Sequence, residues 1–347
     1  MSLRRNYLFF LAGLFLVAGG GRGLAQTAVS SVTYGTLTDN ANITQGGITY
    51  LERTRTVSTV TSGIGDFNFT GPIATSVSFR RNTTAGNANN TTIFYQIDGS
   101  NRHYGTYEPN PSELFLSNNL YQGVRNPFEN GAGSTQSNIE RIDFYFSGGY
   151  TVNTNDALVF FDLENTGNFG DGFRIASFTA ADGSGTPTAY ANTGLLVAPD
   201  SFGGPVNNPQ LAASGNYRRA TFTNGDNLSG TASGITGIGT LELVGILIRF
   251  SDMGISAGTT IQGFSLMAGD VSPTTASDLV NWNDSSYFPT NTSAAGLGYG
   301  NMDFMGFGSR IARPVPEPST YGAILLGLTA TFLGWRRRRK CVNAPVA

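Results

Sequence analysis

The sequence predicts an all-β protein, a jelly-roll-like β-sandwich with an N-terminal export signal and one short C-terminal membrane helix. Three observations carry that expectation. Between residues 26 and 305, apolar side chains recur at every second position and are bounded by Gly, Asn and Asp turns. No stretch of that body has a convincing amphipathic helical period beyond one short turn within Glu108 to Tyr121. The composition, with 46 Gly, 12% aromatic and only 13% charged residues, is rich in turn formers and strand formers. Disorder is excluded by the aromatic and β-branched content, and a disulfide scaffold or Cys/His metal site by the single Cys and single His.

The N-terminus reads as a secretory signal peptide over 1–25. Arg4 and Arg5 precede an uncharged apolar run from Tyr7 to Ala18, and Gly23-Leu24-Ala25 offers small residues before Gln26. That run has 12 residues, where a spanning helix needs ~20, so cleavage is expected rather than retention.

Within the body, strands are expected at Val29–Leu37, Ile48–Thr61, Ile73–Arg80, Thr92–Ile97, Tyr217–Thr223 and Thr260–Met267. Ile142, Phe144 and Phe146 point one way while Arg141, Asp143 and Tyr145 point the other. Ala157 to Asp162 is a short buried-type run, and Phe173, Ile175 and Phe178 follow the turn Gly170-Asp171-Gly172. Leu241 to Phe250 is apolar on both faces, which predicts a central strand. One domain over 26–305 is expected, with two sandwiches split near 200–215 as the alternative. A linker is expected over 306–315.

The C-terminus is the most specific region. Tyr321 to Trp335 is uncharged, and Arg336, Arg337, Arg338, Arg339 and Lys340 follow at once. A basic cluster behind an apolar run stays cytoplasmic, which sets the body outside the inner membrane and leaves 341–347 inside. Fifteen helical residues reach about 22 Å against ~30 Å of hydrocarbon, so the span is short. Pro316, Glu317 and Pro318 stand directly before it, and the prolines keep that site extended.

Pro-Glu-Pro, then a short apolar helix, then an arginine cluster resembles the PEP-CTERM sorting signal, over about 312–340. The resemblance implies handling by an exosortase, and an exported protein of an exopolysaccharide-producing, biofilm-forming bacterium. It implies a precursor anchored in the inner membrane and then a place at the cell surface or in the extracellular matrix. Some family names attach an ice-binding label to this motif. Thr54/Thr56 and Thr59/Thr61 are too few and out of phase for a flat threonine array, so that label carries no function.

Without signal and tail, 13 arginines face 23 acids, and the exported body contains no lysine and no cysteine. A net charge of −10 excludes non-specific nucleic-acid binding. Its stability must come from packing and hydrogen bonds, since Cys341 lies in the tail.

Catalytic chemistry finds little support. His103 is the lone imidazole, in a turn with no serine elbow nearby. Glu140 and Asp143 fall on opposite faces of one strand and do not pair as a glycosidase dyad. The protein is therefore not expected to be an enzyme. Asp162, Glu164, Asn168 and Asp171 form one acidic, Gly-rich stretch whose hard oxygens suit Ca²⁺, although Gly172 stands where an EF-hand has its glutamate. Tyr104, Trp282 and Tyr287 are loop aromatics of the type that stacks on sugar rings. The function expected is structural or adhesive, in the context of exopolysaccharide; the alternative is a carbohydrate-binding or weak glycosidase module acting on that polysaccharide.

Overall fold

The computed structural model describes residues 26–45, 48–82, 90–96, 111–116, 118–130, 139–165, 167, 170–206, 217–223, 232–237, 241–293, 300–306, 308–316, 328, 329, 331 and 332. The signal peptide, His103, Tyr104, Asn168, Glu317, Pro318, the Arg336–Lys340 cluster and most of the expected span lie outside them. The four described positions between 328 and 332 are helical, with Leu328 and Phe332 exposed. No described helix is long and apolar enough to cross a membrane.

In chain order the strands are β1 (Thr27–Gln45), β2 (Ile48–Ser62), β3 (Gly65–Asn68), β4 (Ser76–Arg81), β5 (Asn90–Gln96), β6 (Asn119–Arg125), β7 (Ile139–Thr151), β8 (Ala157–Asn165) and β9 (Phe173–Ala181). They continue with β10 (Pro187–Tyr190), β11 (Leu195–Val197), β12 (Tyr217–Thr223), β13 (Ala232–Gly237), β14 (Leu241–Arg249), β15 (Thr260–Ala268), β16 (Phe304–Gly306) and β17 (Arg313–Pro314). Among the described residues, helix is confined to α1 (Pro111–Leu116), a 3₁₀ turn at Ala276–Leu279, and the positions near 330. The protein is all-β.

The strands form two sheets. The larger runs β13-β12-β5-β6-β16-β8-β14-β1-β2-β3-β17, and the smaller β10-β9-β15-β7-β4, with β11 also on β9. The pairing of β8 with β14 is unbroken from Ala157↔Arg249 to Asn165↔Leu241. Along both strands, alternate residues enter different cores, as the period of two dictates. Leu158, Phe160, Val244, Ile246 and Ile248 join the core between the sheets. Val159, Phe161, Leu163, Leu243 and Leu247 join a second core on the opposite face. Phe160 sits at the centre of the first, with ring centroids 5.6 Å from Phe173, 6.1 Å from Phe264 and 6.2 Å from Phe304.

The second core exists because β1 bends. It pairs with β14 only at Thr27 and Ala28, then with β2 through several register shifts. Such bulges turn a strand out of its sheet. The β1–β2–β3 arm brings Val57, Val60 and Phe67 into contact with the outer row of β8. The central pair is thereby covered on both sides, which accounts for its apolar runs at 157–161 and 243–248.

The alternative split does not appear, and one boundary differs from expectation. Strands from either side of 200–215 interleave in both sheets: β8 lies beside β14, and β15 lies between β7 and β9. No division falls there. Nor is 306–315 a linker. Strand β16 enters the larger sheet between β6 and β8, and β17 closes its edge against β3. Between them, Ile311 and Ala312 are fully buried. Ala312 and Ala157 exchange backbone hydrogen bonds of 2.8 and 2.9 Å, and Ile311 is held by Gly71 and Pro72 in the same way at 3.0 and 2.9 Å. Strands of two and three residues, set among Gly and Pro, are too short to display an alternation.

A chain ended after Gly306 should therefore lose thermal stability, and one ended after Pro316 should keep it. Exposing Ile311 alone forfeits about 1.5–3 kcal/mol. With the lost backbone pairing, the melting midpoint by circular dichroism should drop by more than about 5 °C.

Candidate functional site

Strand β8 carries its apolar inner row into two acids, Asp162 and Glu164, which share a face by their spacing of two. The turn that follows brings back Asp171, whose backbone N–H donates to Asp162 Oδ2 at 2.9 Å. Gly170 has φ +84°, and a side chain there would collide with the Phe202 ring. That position needs glycine on both counts. From the far end of the chain, Asp303 precedes β16 and donates its N–H to Asp162 Oδ1 at 2.7 Å. Asn126, at the end of β6, donates its own N–H to Asp303 Oδ1 at 3.0 Å.

Asp162, Glu164 and Asp171 are each at most 4% exposed. One oxygen of each lies within 4.8 Å of the others. Two oxygens bound to one calcium at about 2.4 Å stand at most about 4.8 Å apart, so the spacing matches a shared ion. Carboxylate and amide oxygens suit a hard cation, and His or Cys ligands for a softer one do not occur in this group. Without a cation the group must hold protons. Burial, then the neighbouring Glu164 and Asp303 charges, push Asp162 well above the usual carboxylate range, against the two backbone donors. Burial and Asp162 push Asp171 up to about 9, assisted by its hydrogen bond with Glu164. Burial also raises Asp303, opposed chiefly by Arg125.

A second pair of acids lies at the same end of the sheets. The registers Ala268↔Phe173 and Met267↔Arg141 align the end of β15 with the starts of β9 and β7. Glu140 at the start of β7 is 3% exposed, and Asn130 Nδ2 donates to both its oxygens at 2.9 and 3.0 Å. Burial first, and Asp270 nearby, push Glu140 up to about 8 against that donation. Asp270 accepts from Thr292 Oγ1 at 2.8 Å.

Sequence reasoning brought Asp162, Glu164 and Asp171 together on their local spacing. It missed Asp303 and Asn126, which arrive from remote strands and have no local pattern to mark them. Of the three loop aromatics, Tyr104 lies outside the described residues, and Trp282 and Tyr287 are half-buried. Trp282 Nε1 donates to the Arg81 carbonyl at 3.1 Å, and the guanidinium carbons of Arg141 and Arg80 lie 4.9 and 5.3 Å from its ring centroid. The indole thereby pins its own loop to the outside of β7 and β4. Tyr287 likewise packs against the main core.

The C-terminal segment has its own geometry. Arg313 and Pro314 pair with Asn68 and Phe67 of β3, and Val315 N–H donates to the Asp66 carbonyl at 2.8 Å. In an antiparallel pair alternate amides face the partner. With Val315 facing β3, Pro314 and Pro316 fall at the outward positions, where they remove the donors that would accept another strand. Pro316 is exposed, one residue beyond the last sheet hydrogen bond.

Compared with known families, residues 314–339 match the PEP-CTERM protein-sorting motif. No curated protein and no solved structure matches the chain. The chain thus carries a PEP-CTERM signal, which marks it as an exported, exosortase-targeted protein.

Glu140 gives a pH test of the acidic end. Raised to about 8, it keeps its proton in the folded chain while the unfolded chain releases it near 4.5. Stability is thus fully present below about pH 4.5 and falls as pH rises toward 8. Glu140→Gln should remove up to one proton from that slope, about 1.4 kcal/mol per pH unit. Denaturant unfolding between pH 5 and 8 measures it; an unchanged slope would show that Glu140 holds no proton.

Proposed function

We propose that the protein is a non-enzymatic structural or adhesive component of the cell surface or extracellular matrix, delivered by its sorting signal and stabilised by calcium. The sorting motif at 314–339 is the observation that carries this reading. The precursor is held in the inner membrane by the apolar run at 321–335, then processed by an exosortase and passed to the surface, in the context of exopolysaccharide or biofilm. The exported body is a jelly-roll-like β-sandwich.

Three features support a structural role. The central strands are covered on both faces, so the body has no open apolar groove along β8 and β14. Asp162, Glu164 and Asp171 are at most 4% exposed, too enclosed for a sugar ring to lie between them as a glycosidase requires. The loop aromatics among the described residues are engaged in packing. Calcium is supported by three oxygens within 4.8 Å and by the raised proton affinity of Asp162 and Asp171, which a divalent cation would relieve.

Replacing Glu317 with Ala tests the sorting reading, because neither export nor insertion needs that charge. The full-length precursor should then accumulate in the inner membrane, seen by fractionation with one antibody to the body and another to the tail. Normal conversion of the Glu317→Ala chain would reduce the C-terminus to a plain membrane anchor.

Calcium is tested on the purified body. Millimolar Ca²⁺ should raise the melting midpoint at pH 7.5 and release protons into a weak buffer. Asp162→Asn should abolish both effects. A midpoint indifferent to Ca²⁺ and to chelator would leave the acids as a proton-holding group only.

A further inference from the structure

The end of the fold and the start of the sorting signal are the same residues. The motif match begins at Pro314, inside β17, and the sheet holds the chain as far as Val315. The apolar run begins at Tyr321. Only 316–320 separate the last sheet hydrogen bond from that run, a stretch of at most about 17 Å when fully extended. A membrane enzyme that reads Glu317 must therefore work between a folded domain and the bilayer, with the backbone before Pro316 already committed to β3.

The two halves of this C-terminal segment are fastened differently. Ile311 and Ala312 are fully buried and each is bonded through both backbone groups, to Gly71 and Pro72 and to Ala157. Beyond them the grip weakens. Pro314 and Pro316 have no N–H to give. Arg313, with its side chain 39% exposed, lies 3.4 Å from the buried Asp156, and this half-exposed pair is the main side-chain fastening of β17. Its other contact, to the Tyr150 hydroxyl, is long at 3.5 Å. Releasing 313–315 adds three residues, about 10 Å of reach, without disturbing the buried plug at 311–312.

We propose that β17 is a latch on the sorting signal: it must come off β3 before an exosortase can take up the Pro316 site, and Ala312 is the hinge. This rests on the sorting reading above. It makes processing wait on a local opening rather than on recognition of the motif alone. A chain whose body has not folded would present the motif unlatched.

The test uses the full-length chain in a host carrying the processing enzyme, with precursor conversion followed by pulse-chase. A spacer of about eight Gly and Ser residues, followed by a second Arg-Pro-Val, is inserted between Val315 and Pro316. The first copy then stays on β3 while the motif regains its own preceding residues. Conversion should accelerate several-fold. Arg313→Ala, which loosens the latch, should also accelerate the native-length chain, and should add nothing when introduced into the first copy of the spacer chain. Hydrogen exchange on the purified protein should find the Val315 amide far less protected than that of Ala312. Conversion of the spacer chain at or below the native rate, or equal protection of the two amides, would overturn the latch. Glu317→Ala separates the two ideas: if it still blocks conversion while the spacer changes nothing, the latch fails and the sorting reading stands.

Discussion

The structure depends on one constraint, that the central pair β8–β14 must be covered on both faces. Nine consecutive residues of β8 pair with nine of β14, and their apolar side chains alternate between two cores. A single partner sheet can cover only one of those faces. The smaller sheet covers the inner face, and the arm of β1, β2 and β3 folds back over the outer one. The bulges of β1 follow from that requirement, since a straight β1 would continue the sheet away from the row it has to cover. The buried passage of Ile311 and Ala312 beside Ala157 completes the same covering at the start of β8.

With no cysteine and no lysine in the body, buried charge falls to arginine and carboxylate. On the outer side of the smaller sheet, Asp143 receives Nε and Nη2 of Arg141 at 2.7 and 3.0 Å, Nε of Arg80 at 2.9 Å and the Ser265 hydroxyl at 2.7 Å. Arg141 also donates to the Leu279 carbonyl at 2.6 Å, which ties the 3₁₀ turn to β7. Breaking one member of such a buried group costs far more than an exposed pair is worth, because a charge is left without a partner. The group therefore fixes the covering loop in one position, and Trp282 lies over it as part of the same assembly.

That network also shows what the sequence could and could not reveal. The alternation of Ile142, Phe144 and Phe146 with Arg141, Asp143 and Tyr145 was legible, and so were β12 at Tyr217–Thr223 and the doubly apolar β14, because each spans enough residues for a period to appear. The burial of Arg141 and Asp143 was not, because the residues that cover them come from 138 positions downstream. The packing of Trp282 on Arg141 and Arg80 was hidden for the same reason, since those partners are remote in sequence. Asp162, Glu164 and Asp171 were legible as one local stretch, whereas Asp303 reaches them from 141 residues away. Segments that are short, or that act only through remote contacts, leave no periodic trace. Strands β16 and β17 fail on both counts.

The two ends of β8 now take on different roles. Its first residue lies beside Ala312, next to the Asp156–Arg313 contact and the start of the sorting motif. Its last residues lead into the acids. Nine residues of strand hold these regions about 27 Å apart, on opposite ends of the same central element. In the proposed membrane-held precursor the tether leaves from the Ala157 end, and Asp162, Glu164 and Asp171 lie toward the other end of β8. The proposed cation at Asp162 and the proposed opening of β17 would therefore act at opposite ends of one strand. Tightening the acidic end can stabilise the body as a whole while leaving the lightly held residues 313–315 free to move.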